Sequence, residues 1–297
     1  MIYTEYIKEN YPNSVNENGN YLCFTKAEEE LSIFKNGVGL KVTETPSLIK
    51  MVGKDTVEFL HRVSTNDLMN IKSYEKRNTL FLNEKGKFIA KSTFLSFEDE
   101  YWVLSDYDYS NRVLSWINKF IIMEDIKTED ISDKFSLLEL SGPQAGSFIM
   151  LLIGDEVNKI KLEEFKRFDV DGFTFYLFSN SVKSNCVSTK IIIESARLVD
   201  FIKHLFSIKS VFDLELVGKQ ALDTFRIEKL IPAFPNEINV EANPHEVDLM
   251  NDISATKGCY IGQEVIARLE TYEKVQRKLF KVVSAEKINE TSKFLLD

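Results

Sequence analysis

The most informative stretch of the chain runs Lys257-Gly258-Cys259-Tyr260-Ile261-Gly262-Gln263-Glu264. Its two glycines indicate a turn, because glycine adopts backbone conformations that other residues avoid. The pattern that follows, from Gly262 to Glu270, predicts a helix. A helix N-terminus and a neighbouring lysine both stabilise a thiolate, so Cys259 is a candidate reactive thiol. The alternative is that Cys259 is a small buried hydrophobic residue.

The segment from residue 257 to residue 281 is basic within an acidic protein. It contains six Lys or Arg and three Glu, whereas the whole chain has a formal net charge of −9. An acidic molecule attracts nucleic acid and anionic lipid weakly, so we expect no direct nucleic-acid binding and no membrane partner. The basic segment is then the candidate site for an anionic ligand, unless its lysines only protect a solvated strand edge.

Length and composition are those of a folded protein. The 297 residues include 44% hydrophobic and 28% charged residues, and this length predicts two or three domains. No apolar run reaches the length of a membrane span, and the first residues lack the order of a signal peptide. Three scattered cysteines and three histidines show neither disulfide nor metal-site spacing. We therefore expect a cytoplasmic protein without a conventional metal centre.

One order of elements occurs twice along the chain. The first unit has a strand, a turn at Gly53, a helix capped by the carboxylate of Asp55, a hairpin meander and a second helix. The second unit repeats this order around Gly142, with Asp171-Gly172 as a hairpin signal. Predicted strands lie at 48–52, 79–82, 88–95, 101–104, 135–140, 165–170, 173–178 and 190–193. The repetition predicts a duplicated α+β architecture, with coincidence of common elements as the alternative.

The flanking segments are less regular. Residues 1–35 show no clear pattern, and 218–230 read as a helix that ends before Pro232. Residues 235–256 lack periodicity and are rich in Asn, Asp and Glu, which is typical of a long functional connection. Residues 275–283 predict a strand.

Three motifs carry a family resemblance. The string 257–264 resembles the K-G-C-Y-x-G-Q-E signature of the YgfZ-type folate-binding proteins, relatives of the glycine-cleavage T-protein, an aminomethyltransferase. The segment 59–68, F-L-H-R-V-S-T-N-D-L, resembles an early element of that family. The segment 223–228, D-T-F-R-I-E, resembles its D-x-x-R-x-E helix. Together the motifs span about residues 40 to 283.

The resemblance implies an α+β fold, a multi-domain cloverleaf of antiparallel sheets with helices. Its first two leaves would be the two similar units, and a short C-terminal β segment would resemble a truncated barrel. The expected domains are 1–49 together with 133–256, then 50–132, and finally 257–297 with the signature and the partial barrel. The family's barrel continues well past Lys281, so we expect a shortened barrel or a chain cut within it.

The sequence departs from the aminomethyltransferase pattern at two acids. In those enzymes a hairpin loop N-x-x-G-G-x-x-D-D supplies the catalytic aspartate, whereas residues 83–91 here place Ala90 and Lys91 at the acidic positions. Lys190 stands where the resemblance places a folate-binding acid in the second repeat. An aminomethyl transfer that needs a carboxylate to polarise the folate nitrogen is therefore predicted to fail.

The resemblance implies tetrahydrofolate as cofactor and Cys259 as the working thiol. Folate has an anionic glutamate tail and a flat pterin ring, which suit Arg226 and Lys91 by charge and Tyr260 by stacking. The expected folate contacts are Asn66, Lys91, Arg226, Lys257, Tyr260, Gln263 and Glu264. Asn66 can instead cap a turn, and Arg226 can instead pair with Glu228 or Asp223.

The leading functional hypothesis is a folate-binding accessory protein for iron–sulfur cluster assembly or repair, which would indirectly support tRNA modification. Its partners would be folate and iron–sulfur client or assembly proteins. The first alternative is a folate-dependent, aminomethyltransferase-like one-carbon enzyme. The second is an interaction scaffold with a decayed folate site. Whether the protein is an enzyme at all stays open at this point.

Overall fold

The computed structural model describes residues 2–17, 19–106, 110–182, 186–272 and 275–284 of the chain. These residues form eight α-helices and thirteen β-strands. The helices are α1 (Tyr3–Asn10), α2 (Ala27–Asn36), α3 (Thr56–Val63), α4 (Ser110–Phe120), α5 (Ala145–Ile153), α6 (Leu198–Ile208), α7 (Lys219–Glu228) and α8 (Gln263–Thr271). The strands are β1 (Val15–Glu17), β2 (Asn20–Cys23), β3 (Val38–Thr43), β4 (Ser47–Val52), β5 (Lys76–Leu82), β6 (Phe88–Ser96), β7 (Tyr101–Ser105), β8 (Lys127–Asp130), β9 (Phe135–Ser141), β10 (Lys166–Val170), β11 (Phe173–Val182), β12 (Cys186–Glu194) and β13 (Leu214–Leu216).

Two large sheets share one strand order. The first sheet has the order β5-β6-β7-β4-β8, and the second has β10-β11-β12-β9-β3-β13. Each is built from a strand, a helix, a three-stranded antiparallel meander, a helix and a last strand, and the second sheet inserts β3 before its last strand. The predicted α+β fold with two similar units is therefore confirmed. The predicted domain division stays a prediction.

A glycine turn opens both units for a steric reason. Gly53 and Gly142 have φ values of +130° and +123°, in the region that favours glycine. A Cβ atom would lie 1.9 Å from the Asp125 carbonyl oxygen at the first position and 2.4 Å from the Gly37 carbonyl oxygen at the second. The predicted cap by Asp55 is wrong, because its carboxylate accepts the backbone N–H of Asp125 at 2.8 Å and makes no cap bond to α3.

Helices cover the outer face of each sheet. In the first sheet, alternate side chains of β4, β6 and β7 pack with α3 and α4; the core includes Ile49, Met51, Phe59, Leu60, Phe94, Val103, Val113 and Ile117. In the second sheet, β9, β11 and β12 pack with α1, α5 and α6; the core includes Ile7, Leu138, Phe148, Phe175, Ile191, Phe201 and Leu205. Alternation along a strand leaves the other face of each sheet free to meet its partner.

The inner faces of the two sheets pack on each other. Their shared apolar core includes Leu48, Leu95, Phe97, Trp102 and Leu104 from the first unit and Leu137, Phe165, Phe178 and Ile192 from the second. Backbone hydrogen bonds also join the units, from the N–H of Lys76 to the carbonyl of Glu163 at 2.7 Å and from the N–H of Phe165 to the carbonyl of Tyr74 at 3.0 Å. The two units therefore form one layered body.

The C-terminal part differs from its prediction. Residues 275–284 contain no strand, so the predicted strand at 275–283 is wrong, and the described chain forms no closed barrel. A lone extended segment has no ladder to join. Its polar groups bind a loop instead: the N–H of Leu279 donates to the carbonyl of Glu246 at 3.0 Å, and Arg277 pairs with the Glu246 carboxylate at 2.9 Å. Residues 285–297 of the expected barrel domain lie outside the described residues.

The long connection and the N-terminal arm lie outside the two repeated units. Residues 235–256 hold only a short 3₁₀ turn, Met250–Asp252, in agreement with their predicted lack of periodicity. The N-terminal arm, which the sequence left unassigned, forms α1, the β1–β2 hairpin and α2. Among the described residues, no helix combines the length and the apolar character that a bilayer crossing requires.

Candidate functional site

The space between the sheets changes from apolar to charged along the strands. On β6 the inner face runs from Leu95 through Thr93 to Lys91, and on β12 it runs from Ile192 to Lys190. A period of two places these side chains on one face. Lys91 and Asp106 at the charged end are partly exposed, so this end of the interface is open to solvent, and this opening is the first part of the candidate site.

Seven charged side chains surround this opening, and we call them the inter-sheet cluster. Glu139 on β9 lies directly opposite Lys41 on β3 and Lys190 on β12 in the strand register. Asp106, which follows β7, reaches across from the first sheet. Its Oδ1 lies 3.5 Å from Lys190 Nζ and its Oδ2 lies 3.7 Å from Lys91 Nζ. The members of the cluster are Lys41, Lys76, Lys91, Asp106, Glu139, Lys190 and Asp252.

The charges in the cluster stabilise one another. Burial raises the pKa of Asp106, but the charges of Lys190, Lys91 and Lys41 outweigh it and hold that pKa below its usual value. The pKa of Glu139 is also below its usual value, because the charges of Lys190 and Lys41 outweigh the effect of burial. Burial lowers the pKa of Lys190, whereas Asp106 and Glu139 raise it above its usual value. Near neutral pH these groups are therefore ionised.

The pKa values of two further members of the cluster are shifted in the direction that favours their neutral forms. Burial raises the pKa of Asp252, which the long connection places against the first sheet, although the charge of Lys91 opposes this shift. Burial and the charge of Lys190 lower the pKa of Lys76 to about 8. The hydroxyl of Thr65 donates to the Asp252 carbonyl at 2.7 Å and so ties the connection to the turn after α3.

The residues at the lost acidic positions face opposite sides of the sheet. Ala90 is fully buried in the core against the helices. Lys91 points into the inter-sheet cluster, with its side chain 25% exposed. The hairpin of β5 and β6 therefore supplies an ammonium group and no carboxylate to this opening.

The first residue of the signature has a structural role. Lys257 is buried, and its Nζ donates to the carbonyl oxygens of His61, Ser64 and Asn66, the last at 3.2 Å. These carbonyls lie at the end of α3, where helix geometry leaves such groups unpaired. Burial lowers the pKa of Lys257 to about 8. Asn66 belongs to the same turn, and its side-chain amide donates to the Asn78 carbonyl at 2.8 Å.

The thiol of Cys259 lies on an open pocket. The pocket has a volume of about 480 Å³ and is lined by His61, Arg62, Gly258, Cys259, Tyr260 and Ile261. Cys259 is exposed, so the alternative that it is a buried hydrophobic residue is wrong. The Lys257 ammonium lies 5.4 Å from the centre of the Tyr260 ring, and burial raises the pKa of Tyr260 to about 12. The signature thus presents one thiol and one aromatic ring at the same pocket.

His61 is a member of this pocket that the sequence analysis did not select. Its Nδ1 accepts the N–H of Leu68 at 3.2 Å and lies 3.3 Å from Asp67 Oδ1. Burial and the charge of Lys257 lower the pKa of His61, although Asp67 opposes them. A neutral ring with an Nδ1 acceptor carries its proton on Nε2. No spacing motif marks His61, because its partners Leu68 and Lys257 are brought together only by the fold.

The other predicted site residues lie in local contacts. Arg226 has a side-chain exposure of 7% and pairs with Asp223 and Glu237, each at 2.7 Å. Its predicted local partner Asp223 is therefore present, and Glu237 takes the place expected for Glu228. Glu264 is exposed and pairs with Arg268 at 2.6 Å, and Gln263 is half-buried at the start of α8.

Four basic side chains of the segment 257–281 already have hydrogen-bond or ion-pair partners within the protein. Lys257 is buried under carbonyls, Arg268 is paired with Glu264, and Arg277 is paired with Glu246. Lys281 donates to a backbone carbonyl at 3.1 Å. Lys91 and Lys190 of the inter-sheet cluster are the stronger anion-binding candidates. Within the described ranges, no group of three His, Cys, Asp or Glu side chains is placed to hold a metal ion.

Two repeated α+β units that enclose a charged opening between their sheets define an aminomethyltransferase-like fold. The chain matches the family model described as GCVT N-terminal domain over residues 5–257, and it belongs to that family.

Comparison with known proteins agrees with this assignment. A chloroplastic protein of Arabidopsis thaliana, named as a candidate transferase, is 26% identical over 89% of this chain and 60% of its own length. The aminomethyltransferase of Chlorobium limicola is 25% identical over 72% of this chain and 59% of its own length. The chain thus spans about three fifths of these relatives. The aminomethyltransferase T structure from Bartonella henselae superposes with a TM-score of 0.74 at 17% identity, over 91% of this chain and 74% of that one, which shows a shared fold.

Proposed function

We propose that this chain is a folate-binding member of the GCVT family that serves iron–sulfur cluster assembly or repair, and through it tRNA modification. The observation that carries the proposal is the exposed Cys259 thiol on the signature pocket. A thiol that only filled core volume would be buried. Its exposure beside an imidazole and an aromatic ring suits chemistry on a partner.

The inter-sheet cluster supports a role other than classical aminomethyl transfer. A general acid or base has to lie within hydrogen-bond reach of the proton that it moves. At the hairpin the resemblance places this acid at Ala90 and Lys91, and the structure directs Lys91 to the opening and Ala90 to the core. An ammonium group donates hydrogen bonds and cannot accept the proton of a protonated folate amine.

The residues present fit tetrahydrofolate. Lys91 and Lys190 are ammonium groups suited to its carboxylates, and Tyr260 offers a ring edge to its flat pterin. The cluster and the Cys259 pocket adjoin the same turn, because Lys257 binds the Asn66 carbonyl while Asn66 binds the Asn78 carbonyl on β5. When bound, folate would supply one-carbon or redox chemistry, with Lys91, Lys190 and Tyr260 as the residues that would hold it.

Cys259 would act as a transient ligand for cluster iron. Thiolate sulfur is the ordinary protein ligand of iron–sulfur clusters, which need several such ligands. One thiol therefore requires further ligands from a client protein, an assembly protein or a small thiol. With ligands from such a partner, the exposed Cys259 would be sufficient on the side of the accessory protein.

Two measurements test the proposal. Anaerobic calorimetry with tetrahydrofolate should give saturable binding to the whole chain. In cells that lack this protein, wild type should restore the activity of an iron–sulfur enzyme, whereas Cys259→Ala should not, and the half-buried Cys23→Ala should behave as wild type. Full restoration by Cys259→Ala would remove the thiol from the mechanism.

One observation favours a folate-dependent one-carbon enzyme as second candidate. Asp252 is buried in the inter-sheet cluster, and burial raises its pKa, which favours the protonated carboxyl that a general acid needs. Formation of methylene-tetrahydrofolate from an aminomethylated carrier, lost in Asp252→Asn, would establish this function. The absence of any folate binding would instead favour an interaction scaffold.

A further inference from the structure

The buried ammonium group of Lys190 has too few acceptors. Its side chain is 10% exposed, and among the described residues its one hydrogen-bonding or ion-pair partner is Asp106, at 3.5 Å. A direct ammonium–carboxylate hydrogen bond measures roughly 2.7–2.9 Å, and an ammonium group has three donors. Buried donors without acceptors cost free energy, so water or a ligand has to supply them.

Asp106 is shared between two cations and held by neither at close range. Its second oxygen lies 3.7 Å from Lys91 Nζ. The backbone is anchored, because the N–H of Asp106 donates to the Lys91 carbonyl at 3.1 Å. The carboxylate is 42% exposed and can rotate toward solvent while the backbone stays in place.

The other acids of the cluster are less available to Lys190. Glu139 lies opposite both Lys41 and Lys190 in the sheet and also accepts a hydrogen bond from Ser188 at 2.7 Å, so its charge is shared among three groups. Burial raises the pKa of Asp252, so it is a weaker counter-ion. Lys91 and Lys190 thus share the Asp106 carboxylate, so two cations face one acid at this point.

We propose that Asp106 is an internal counter-ion that occupies the place of a ligand carboxylate between Lys91 and Lys190, so that an acidic small molecule binds by displacing it. Asp106 then determines specificity by competition. The ligand carboxylate has two sources, the glutamate tail of folate or a free carboxylic acid. The inference rests on the proposed function only for the first source.

Competition between Asp106 and the ligand predicts that removing the charge of Asp106 increases the ligand affinity. Asp106→Asn keeps the size of the side chain and removes the competing charge, so the affinity for acidic ligands should increase by roughly two- to five-fold, the upper range of one partly exposed ion pair. Lys190→Met should abolish this gain, and Lys91→Met should reduce it. Asp200→Asn is the matched control, because Asp200 is exposed on α6 and its loss changes net charge equally.

The test is anaerobic calorimetry of each full-length variant with three probes: tetrahydrofolate, glutarate, and 6-methyltetrahydropterin, which has no carboxylate. Circular dichroism checks folding, and Lys190→Arg replaces Lys190→Met if the latter unfolds. We expect Asp106→Asn to bind tetrahydrofolate or glutarate more tightly and the pterin unchanged. Weaker or unchanged binding of both acids, or no binding of either acid to Asp106→Asn, would overturn the inference.

The same titrations separate this inference from the proposed function. If Asp106→Asn changes the affinity for neither tetrahydrofolate nor glutarate while tetrahydrofolate still binds, the counter-ion role is wrong and folate binding remains. Glutarate binding enhanced by Asp106→Asn, with no tetrahydrofolate binding, supports the counter-ion role and removes folate.

Discussion

The two glycines of the signature should respond very differently to a single methyl group. Gly262 has a φ of +86°, and a Cβ atom there would lie 2.6 Å from the Asn83 carbonyl oxygen and 3.2 Å from Gly86 Cα. The left-handed conformation costs about 1–2 kcal/mol for alanine, and displacing α8 from the β5–β6 turn costs about 1–3 kcal/mol more. Gly258 has no atom within 4 Å of its Cβ position.

Thermal unfolding by calorimetry measures this contrast. A loss of 1 kcal/mol lowers Tm by about 2–4 °C in a domain of this size class, so the summed cost of about 2–5 kcal/mol should lower the Tm of Gly262→Ala by about 4–20 °C. Gly258→Ala should stay within about 2 °C of wild type. Equal shifts for the two variants, or a Gly262→Ala protein as stable as wild type, would refute the argument from backbone conformation and close approach.

Three further outcomes follow from the buried polar contacts. Lys257→Met should lose about 2–3 kcal/mol of stability, because it leaves carbonyl groups at the end of α3 unpaired, whereas exposed Lys85→Met should change little in the same urea titration. Arg226→Met should lose about 3–5 kcal/mol of stability, because Asp223 and Glu237 lose their buried partner. An Arg226→Met protein as stable as wild type would contradict this structural role. The pKa of His61 is lower in the folded protein than in the unfolded chain, so the unfolded chain binds this proton more readily. The free energy of unfolding should therefore decrease as the pH falls through about 6.5. His61→Asn keeps a hydrogen-bond acceptor but does not titrate, so its Tm should fall less steeply than that of wild type between pH 7.5 and 5.5.

The repeated order of elements could be predicted because it rests on local signals. Apolar alternation marked the strands, and the glycines at 53 and 142 marked the strand-to-helix turns, which the structure explains by positive φ and close backbone approach. The strand predicted at 275–283 failed for the converse reason. Strand formation needs a partner ladder, and composition alone does not supply one.

The candidate site was only partly accessible to sequence reasoning. The signature drew attention to Cys259 and Tyr260, which do share a pocket. Asp106, Glu139 and Asp252 were missed, although a charged residue inside the otherwise apolar strand β9 was a usable signal. Arg226, selected by motif, is itself buried and pairs with two half-buried acids.

The sequence by itself determined most of the local elements, the family and the motif that contains Cys259, because spacing and residue type act over short distances along the chain. Only the tertiary structure decided which charges meet. Lys91, Asp106 and Lys190 are far apart in sequence, and the face-to-face packing of the two sheets brings them to one opening. Electrostatic interaction depends on distance in space, and burial strengthens it, so no linear pattern could have assigned their roles.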